Sequence, residues 1–147
     1  MTRVETDIEI AAPRERVWET IMDPRRFGDW VSIHRELHKA DDGPPREGMR
    51  VEQTLCIRGA RFKVKWQLTE CDGETHAVWE GKGPMGSDAR TVYKLAGEDG
   101  RTRFRYVNEF RAPGGPLGAV ASKVLVGGVP EREANRSLQT LKALLEG

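Results

Sequence analysis

Cysteine is scarce in this chain: among 147 residues only Cys56 and Cys71 occur. The strand register derived below sets them about 26 Å apart, which excludes a disulfide. Long apolar runs are missing too. Leu117 to Val129 is too short and too rich in glycine to span a bilayer. The opening Met-Thr-Arg-Val-Glu-Thr-Asp has no apolar signal core, so cytoplasmic residence is the expectation. Nor is one sign of charge in excess. Lys and Arg number 24 against 23 Asp and Glu, which removes any general attraction to nucleic acid or to an acidic membrane. No serine lies in a nucleophile elbow and neither cysteine has a base beside it, so covalent catalysis has no support.

What is present suits one domain spanning 1–147, with 37% hydrophobic and 32% charged positions. Thr2 to Ile10 alternates as a half-buried strand. Pro13 suits the start of a short helix carrying Val17, Trp18, Ile21 and Met22, and Asp23-Pro24 starts a second one carrying Phe27 and Trp30. From Ser32 to Arg111 the period is two, broken by five turn signals, which gives about six antiparallel strands. The closing segment is helical. Ala134, Leu138, Leu141 and Leu145 line one face of its second half, while Val120, Val124 and their neighbours spread around the nearly uncharged first half. Gly127-Gly128-Val129-Pro130 predicts a kink or break between the halves.

A two-residue loop at Gly59-Ala60 pairs Ile57 with Phe62, Leu55 with Val64, Gln53 with Trp66 and Val51 with Leu68, all on one face. It also sets Cys56 opposite Lys63 and Cys71 opposite Gly48. A four-residue loop at Gly97 to Gly100 pairs Leu95 with Thr102, Tyr93 with Phe104, Thr91 with Tyr106 and Ala89 with Asn108. The strand Glu74 to Lys82 stays open between two parities. Either Ala77 and Trp79 or His76, Val78 and Glu80 turn inward, and a bulge or odd loop is required nearby.

The sheet's inner face thus carries Gln53, Thr91, Tyr93, Tyr106 and Asn108 beside Leu55, Trp66 and Phe104. Each unpartnered buried polar group costs about 1–3 kcal/mol, so such a face predicts a wet or ligand-filled interior. Residues 4 to 30, Val-Glu-Thr-Asp-Ile-Glu-Ile-Ala-Ala-Pro-Arg-Glu-Arg-Val-Trp-Glu-Thr-Ile-Met-Asp-Pro-Arg-Arg-Phe-Gly-Asp-Trp, resemble the opening of the START-like helix-grip (SRPBCC) proteins, in particular the polyketide cyclase/dehydrase and lipid-transport group. The closing run Arg136 to Glu146 fits the same resemblance. It implies an α+β helix-grip fold: a seven-stranded antiparallel curved sheet wrapped around a long C-terminal helix, two short helices between strands 1 and 2, and a deep apolar pocket. It also implies a lipid- or polyketide-sized ligand.

Gly81-Lys82-Gly83-Pro84-Met85-Gly86 matches G-x-G-x-x-G in letters, but the following residues alternate like a strand, so a hairpin turn is expected and no dinucleotide. His34 and His38 fall about 13 Å apart on a strand, too far to share one ion, and neither a metal nor a cofactor is expected. His34 is either a surface residue or an acid/base group at the pocket mouth. Trp18, Trp66 and Trp79 read as core, and Trp30 as the residue at the pocket entrance.

The expectation is therefore a protein that binds an apolar or aromatic small molecule, lined by Trp30, Gln53, Leu55, Trp66, Thr91, Tyr93, Phe104, Tyr106, Asn108, Val120 and Val124. Ligand access is expected near Trp30, His34 and the Gly127–Pro130 break. The alternative is a cofactor-free polyketide aromatase/cyclase or dehydratase using Tyr93, Tyr106, Asn108 or His34 as acid/base groups. The resemblance implies an inward arginine for such chemistry, whereas Arg90 faces outward in this register. A third alternative is a protein-interaction module of the chaperone-activator kind, with a filled core. The outward Arg58, Arg61, Lys63 and Lys65 on one hairpin, with Lys94, Arg101, Arg103 and Arg105 on another, form either a solvated face or, if the hairpins lie side by side, a dock for an acidic carrier protein. That face lacks the aromatic interleaving of a nucleic-acid binder. The chain is expected as a monomer or homodimer.

Overall fold

Arg50–Ile57 shows why the middle of the chain is a sheet: Val51, Gln53, Leu55 and Ile57 are buried while the residues between them are not. The computed structural model describes residues 2–111 and 129–147. The described residues form seven strands: β1 (Thr2–Ile10), β2 (His34–Ala40), β3 (Arg50–Ile57), β4 (Ala60–Asp72), β5 (His76–Lys82), β6 (Asp88–Glu98) and β7 (Arg101–Arg111). They form one antiparallel sheet in the order β1-β7-β6-β5-β4-β3-β2, curved around a C-terminal helix. Helix α1 (Arg14–Ile21), a 3-10 turn (Pro24–Arg26) and α2 (Phe27–Trp30) lie between β1 and β2. The Asp23 carboxylate caps the 3-10 turn by accepting from the Arg25 N–H at 3.0 Å.

Helix α3 (Val129–Glu146) buries Ala134, Leu138, Leu141 and Leu145, the stripe expected from the sequence. Pro130 sits in its first turn, where a missing N–H breaks no intrahelical bond. Val120, Val124 and the two glycines of the expected break lie outside the described residues. The far end of α3 is tied to the first corner of the chain. Glu146 accepts from the Ala11 N–H at 2.7 Å, Lys142 donates to the Glu9 carbonyl at 2.9 Å, and Arg16 donates to the Leu145 carbonyl at 3.1 Å.

Both derived hairpin registers are two residues out. The first loop is Arg58-Gly59, with φ of 50° and 81°, so Ile57 faces Ala60, Leu55 faces Phe62, Gln53 faces Val64 and Val51 faces Trp66. A loop at Gly59-Ala60 would have forced Ala60 into the left-handed region instead. The second loop is Asp99-Gly100, φ 51° and 74°, which pairs Gly97 with Thr102, Leu95 with Phe104, Tyr93 with Tyr106 and Thr91 with Asn108. A slip of two preserves parity, so every inward residue stays inward. Cys56 consequently faces Arg61, Cys71 faces Ala77, and both thiols are free.

The strand left open resolves through a bulge in β4 between Leu68 and Glu70. Ala77 and Trp79 pair with Tyr93 and Thr91 of the inner face, while Val78 joins Val92 and Val107 in a separate small apolar cluster. The same topology corrects the basic stripe. Strand β5 separates the β3–β4 hairpin from β6–β7, and the β7 arginines are matched by carboxylates of β1: Arg101 with Glu9 at 2.6 Å, Arg103 with Asp7 at 3.0 Å and Arg105 with Glu5 at 3.6 Å. Arg90 does face outward, within 4.0 Å of Glu70, Glu80 and Glu109.

Candidate functional site

Along β6 and β7 the inward pairs change character step by step. Leu95 and Phe104 are dry core, Tyr93 and Tyr106 follow, then Thr91 and Asn108, then Ala89 and Phe110. Around the polar steps the sheet and the α2–β2 segment border a partly open cavity of about 50 Å³. Its wall combines Phe27, Val31 and Ile33 with Val51, Gln53 and Leu55 of β3, Trp66 and Trp79 of β4 and β5, Thr91 and Tyr93 of β6, and Tyr106, Asn108 and Phe110 of β7.

Two hydrogen-bonded relays hold the polar groups. Trp66 Nε1 donates to Gln53 Oε1 at 2.7 Å, and Gln53 Nε2 lies 2.7 Å from His34 Nδ1. An indole N–H only donates, so Gln53 must present its oxygen to Trp66 and its amide protons to His34. His34 Nδ1 is therefore the acceptor, and the neutral ring carries its proton on Nε2. Burial holds the His34 pKa below the ordinary histidine value, which agrees with a neutral ring. In the second relay Thr91 Oγ1 donates to Asn108 Oδ1 at 2.7 Å, and the Asn108 side chain hydrogen-bonds the Tyr106 hydroxyl.

Burial pushes the Tyr106 phenol up, opposed in part by Asn108, and burial with the adjoining Tyr106 pushes Tyr93 well above the ordinary phenol value. Both are neutral donors near pH 7, not bases. Among the described residues the cavity wall holds no Asp, Glu, Lys, Arg or His.

Gly81 sets the position of Trp66. A Cβ there would fall 2.7 Å from Trp66 Cε3 and 2.8 Å from Val64 Cγ1, so the indole rests on bare backbone. The glycine-rich stretch is thus a strand end and a turn: Gly83 N–H donates to the Ser87 carbonyl at 2.9 Å, and β6 follows.

Of the residues expected at the site, Gln53, Leu55, Trp66, Thr91, Tyr93, Tyr106 and Asn108 meet around this cavity. Trp30 does not stand at an entrance. It is 1% exposed and packs against Tyr93, Phe104 and Tyr106 at 6.0–6.3 Å, because the short helix α2 turns it under the sheet. Phe104, fully buried, belongs to that same ring cluster and not to the wall. His34 is half-buried at the outer end of its relay. His38 takes a separate partner, the Thr54 hydroxyl at 2.6 Å, and two register shifts in β2 break the regular spacing between the histidines.

The wall also takes in residues outside the expected set: Trp79, which reads as core, Phe27, Val31 and Ile33 of the segment before β2, and Val51 and Phe110, which share parity with Gln53 and Asn108. A smaller cavity of about 20 Å³ adjoins the first and shares Val31, Ile33, Tyr106, Asn108 and Phe110 with it. Ser32 crosses this place. Its N–H donates to Ser137 Oγ at 2.9 Å and its hydroxyl to Glu133 Oε2 at 2.6 Å, clasping the α2–β2 segment to α3.

Comparison with known proteins places this arrangement. The family model described as polyketide cyclase/dehydrase and lipid transport matches residues 1–146. Toxin Rv0910 of Mycobacterium tuberculosis is 20% identical over 137 residues, covering 92% of this chain and 95% of its own. Among solved structures, the Zhui aromatase/cyclase of Streptomyces sp. R1128 superposes with a TM-score of 0.74 at 19% identity, over 99% of this chain and 93% of its own. A START superfamily protein of Mycobacterium smegmatis gives 0.72 at 13% identity, over 98% and 97%. At these identities the structural likeness is one of fold.

Proposed function

The chain belongs to the polyketide cyclase/dehydrase and lipid-transport family, and on that premise we propose that it binds an apolar or aromatic small molecule in the cavity between the sheet and the α2–β2 segment, which the smaller cavity extends toward the closing helix. Family membership supports a ligand-binding or cyclase role in general. The observation that carries the finer reading is the wall itself: three aromatic donors, Trp79, Tyr93 and Tyr106, with Gln53, Thr91 and Asn108 set among apolar side chains and free of ionised groups among the described residues. Such a wall suits a ligand that is mostly apolar with a few fixed polar points. Access lies at the Ser32 clasp, where the second cavity reaches α3.

Native mass spectrometry of the full chain from its own host, followed by denaturing extraction, tests this reading. A stoichiometric apolar passenger is expected. An empty chain that also fails to take up small aromatic compounds would refute it.

The cyclase alternative has one observation in its favour: two buried phenols held neutral within reach of a bound molecule. It predicts that Tyr106→Phe abolishes turnover while binding persists, whereas a carrier shows only altered affinity. The missing cation and base on the described wall weigh against it. The cavity and the carboxylate-matched arginines of β7 weigh against the interaction-module alternative.

A further inference from the structure

Trp79 is 3% exposed and lines the cavity, yet its Nε1–H has no hydrogen-bond partner among the described residues. An indole N–H offers a donor and no acceptor, so only an oxygen or nitrogen lone pair completes it. The other indole on the wall, Trp66, is already bonded to Gln53. Trp30 is also without a partner, but it does not line the cavity and lies among the rings of the dry core.

Trp79 stands in one cross-strand row with Thr91 and Asn108. In that row the Thr91 proton is committed to Asn108 and the Asn108 amide to Tyr106. Thr91 Oγ1 and Asn108 Oδ1 keep acceptor lone pairs, yet neither takes the Trp79 Nε1–H, which stays without a partner among the described residues. An anion drawn beside it would lose its hydration and meet no cation on the described wall, a larger penalty than one hydrogen bond returns.

We propose that the Trp79 Nε1–H is the anchor of the site, and that it selects an uncharged aromatic molecule carrying a carbonyl-type oxygen over both a carboxylate and a plain hydrocarbon of the same size. This rests on the ligand-binding reading above and names the chemistry it favours. A site built to satisfy a donor rejects the analogue that leaves that donor bare.

The test uses the full chain and three matched probes: acetophenone, ethylbenzene and benzoate. Affinities come from calorimetry and the four indole N–H signals from proton–nitrogen spectra. Acetophenone is expected to bind about tenfold tighter than ethylbenzene and tighter still than benzoate, with the Trp79 signal moving most. Trp79→Phe should bring the ketone-to-hydrocarbon ratio close to one while ethylbenzene still binds. If ketone and hydrocarbon bind alike and the Trp79 signal stays in place, the anchor is wrong while the cavity reading stands. If none of the three binds, the cavity reading itself falls and the anchor with it. Should Trp79→Phe fail to fold, the movement of the Trp79 signal in the unaltered chain decides.

Discussion

Two ends of the same inner sheet face behave differently. At the Asp99-Gly100 end, Ile10, Leu95 and Phe104 close against Leu138 and Leu141 with almost no exposure. Four residues further along the same strands, Thr91 and Asn108 occupy equivalent inward positions and border a cavity. Backbone, pairing and parity are shared, and among the described residues the side chains differ: apolar at the first end, hydroxyl and amide at the second. A dry end is stabilised by volume filling; a polar end is held by partners, and it stays open where a partner is missing.

Substitutions sharpen this contrast. Phe104→Ala, at the dry end, should cost about 3–5 kcal/mol in denaturant unfolding, because the rings of Trp30, Tyr93 and Tyr106 cannot close the hole. Gly81→Ala, at the polar end, adds volume instead. It should cost about 1–3 kcal/mol and shift the Trp66 indole signal as the ring is pushed from its seat. Gln53→Ala leaves the Trp66 N–H without its acceptor, an expected loss of about 1–2 kcal/mol. It also admits water to His34 and removes its donor, so the His34 pKa should climb back toward the ordinary value in a proton-shift titration.

The smallest effect is the pH dependence. His34 has a folded pKa below its unfolded value, so the unfolded chain binds more protons as pH falls below about 6.5, and stability should decline there. The tyrosines act in the opposite direction. Their folded pKa values lie above the unfolded one, so their contribution is complete below about pH 10 and declines above it. Unfolding midpoints measured from pH 5 to 11 check both signs.

The inward set was legible because parity survives a two-residue slip: Gln53, Trp66, Thr91 and Asn108 face inward in either register. Which residues oppose one another was only partly legible: Asp99-Gly100 is a dipeptide suited to a two-residue left-handed loop and carried its own signal, whereas Arg58 takes left-handed backbone that its residue type does not announce. Trp79 stayed open between two parities because the clash of loop lengths requires a bulge without locating it; the structure puts it between Leu68 and Glu70. Trp30 was misplaced because the direction of a one-turn helix depends on what it packs against. The clasp at Ser32 joins residues more than a hundred positions apart, beyond the reach of any periodicity.

Among the described residues the first strand pairs in the sheet only with the last, Thr2 opposite Phe110 and Ile10 opposite Thr102, and α3 then seals the same corner through Glu146 and Ala11. Loop closure of this span must precede the reward of pairing, which places the chain among slow, non-local folders. During synthesis β1 leaves the ribosome roughly a hundred residues ahead of its partner and waits as an unpaired strand. A nascent chain stalled before Arg101 should therefore remain protease-sensitive at β1 however well its β3–β4 hairpin has formed, and protection should arrive only as the final helix emerges.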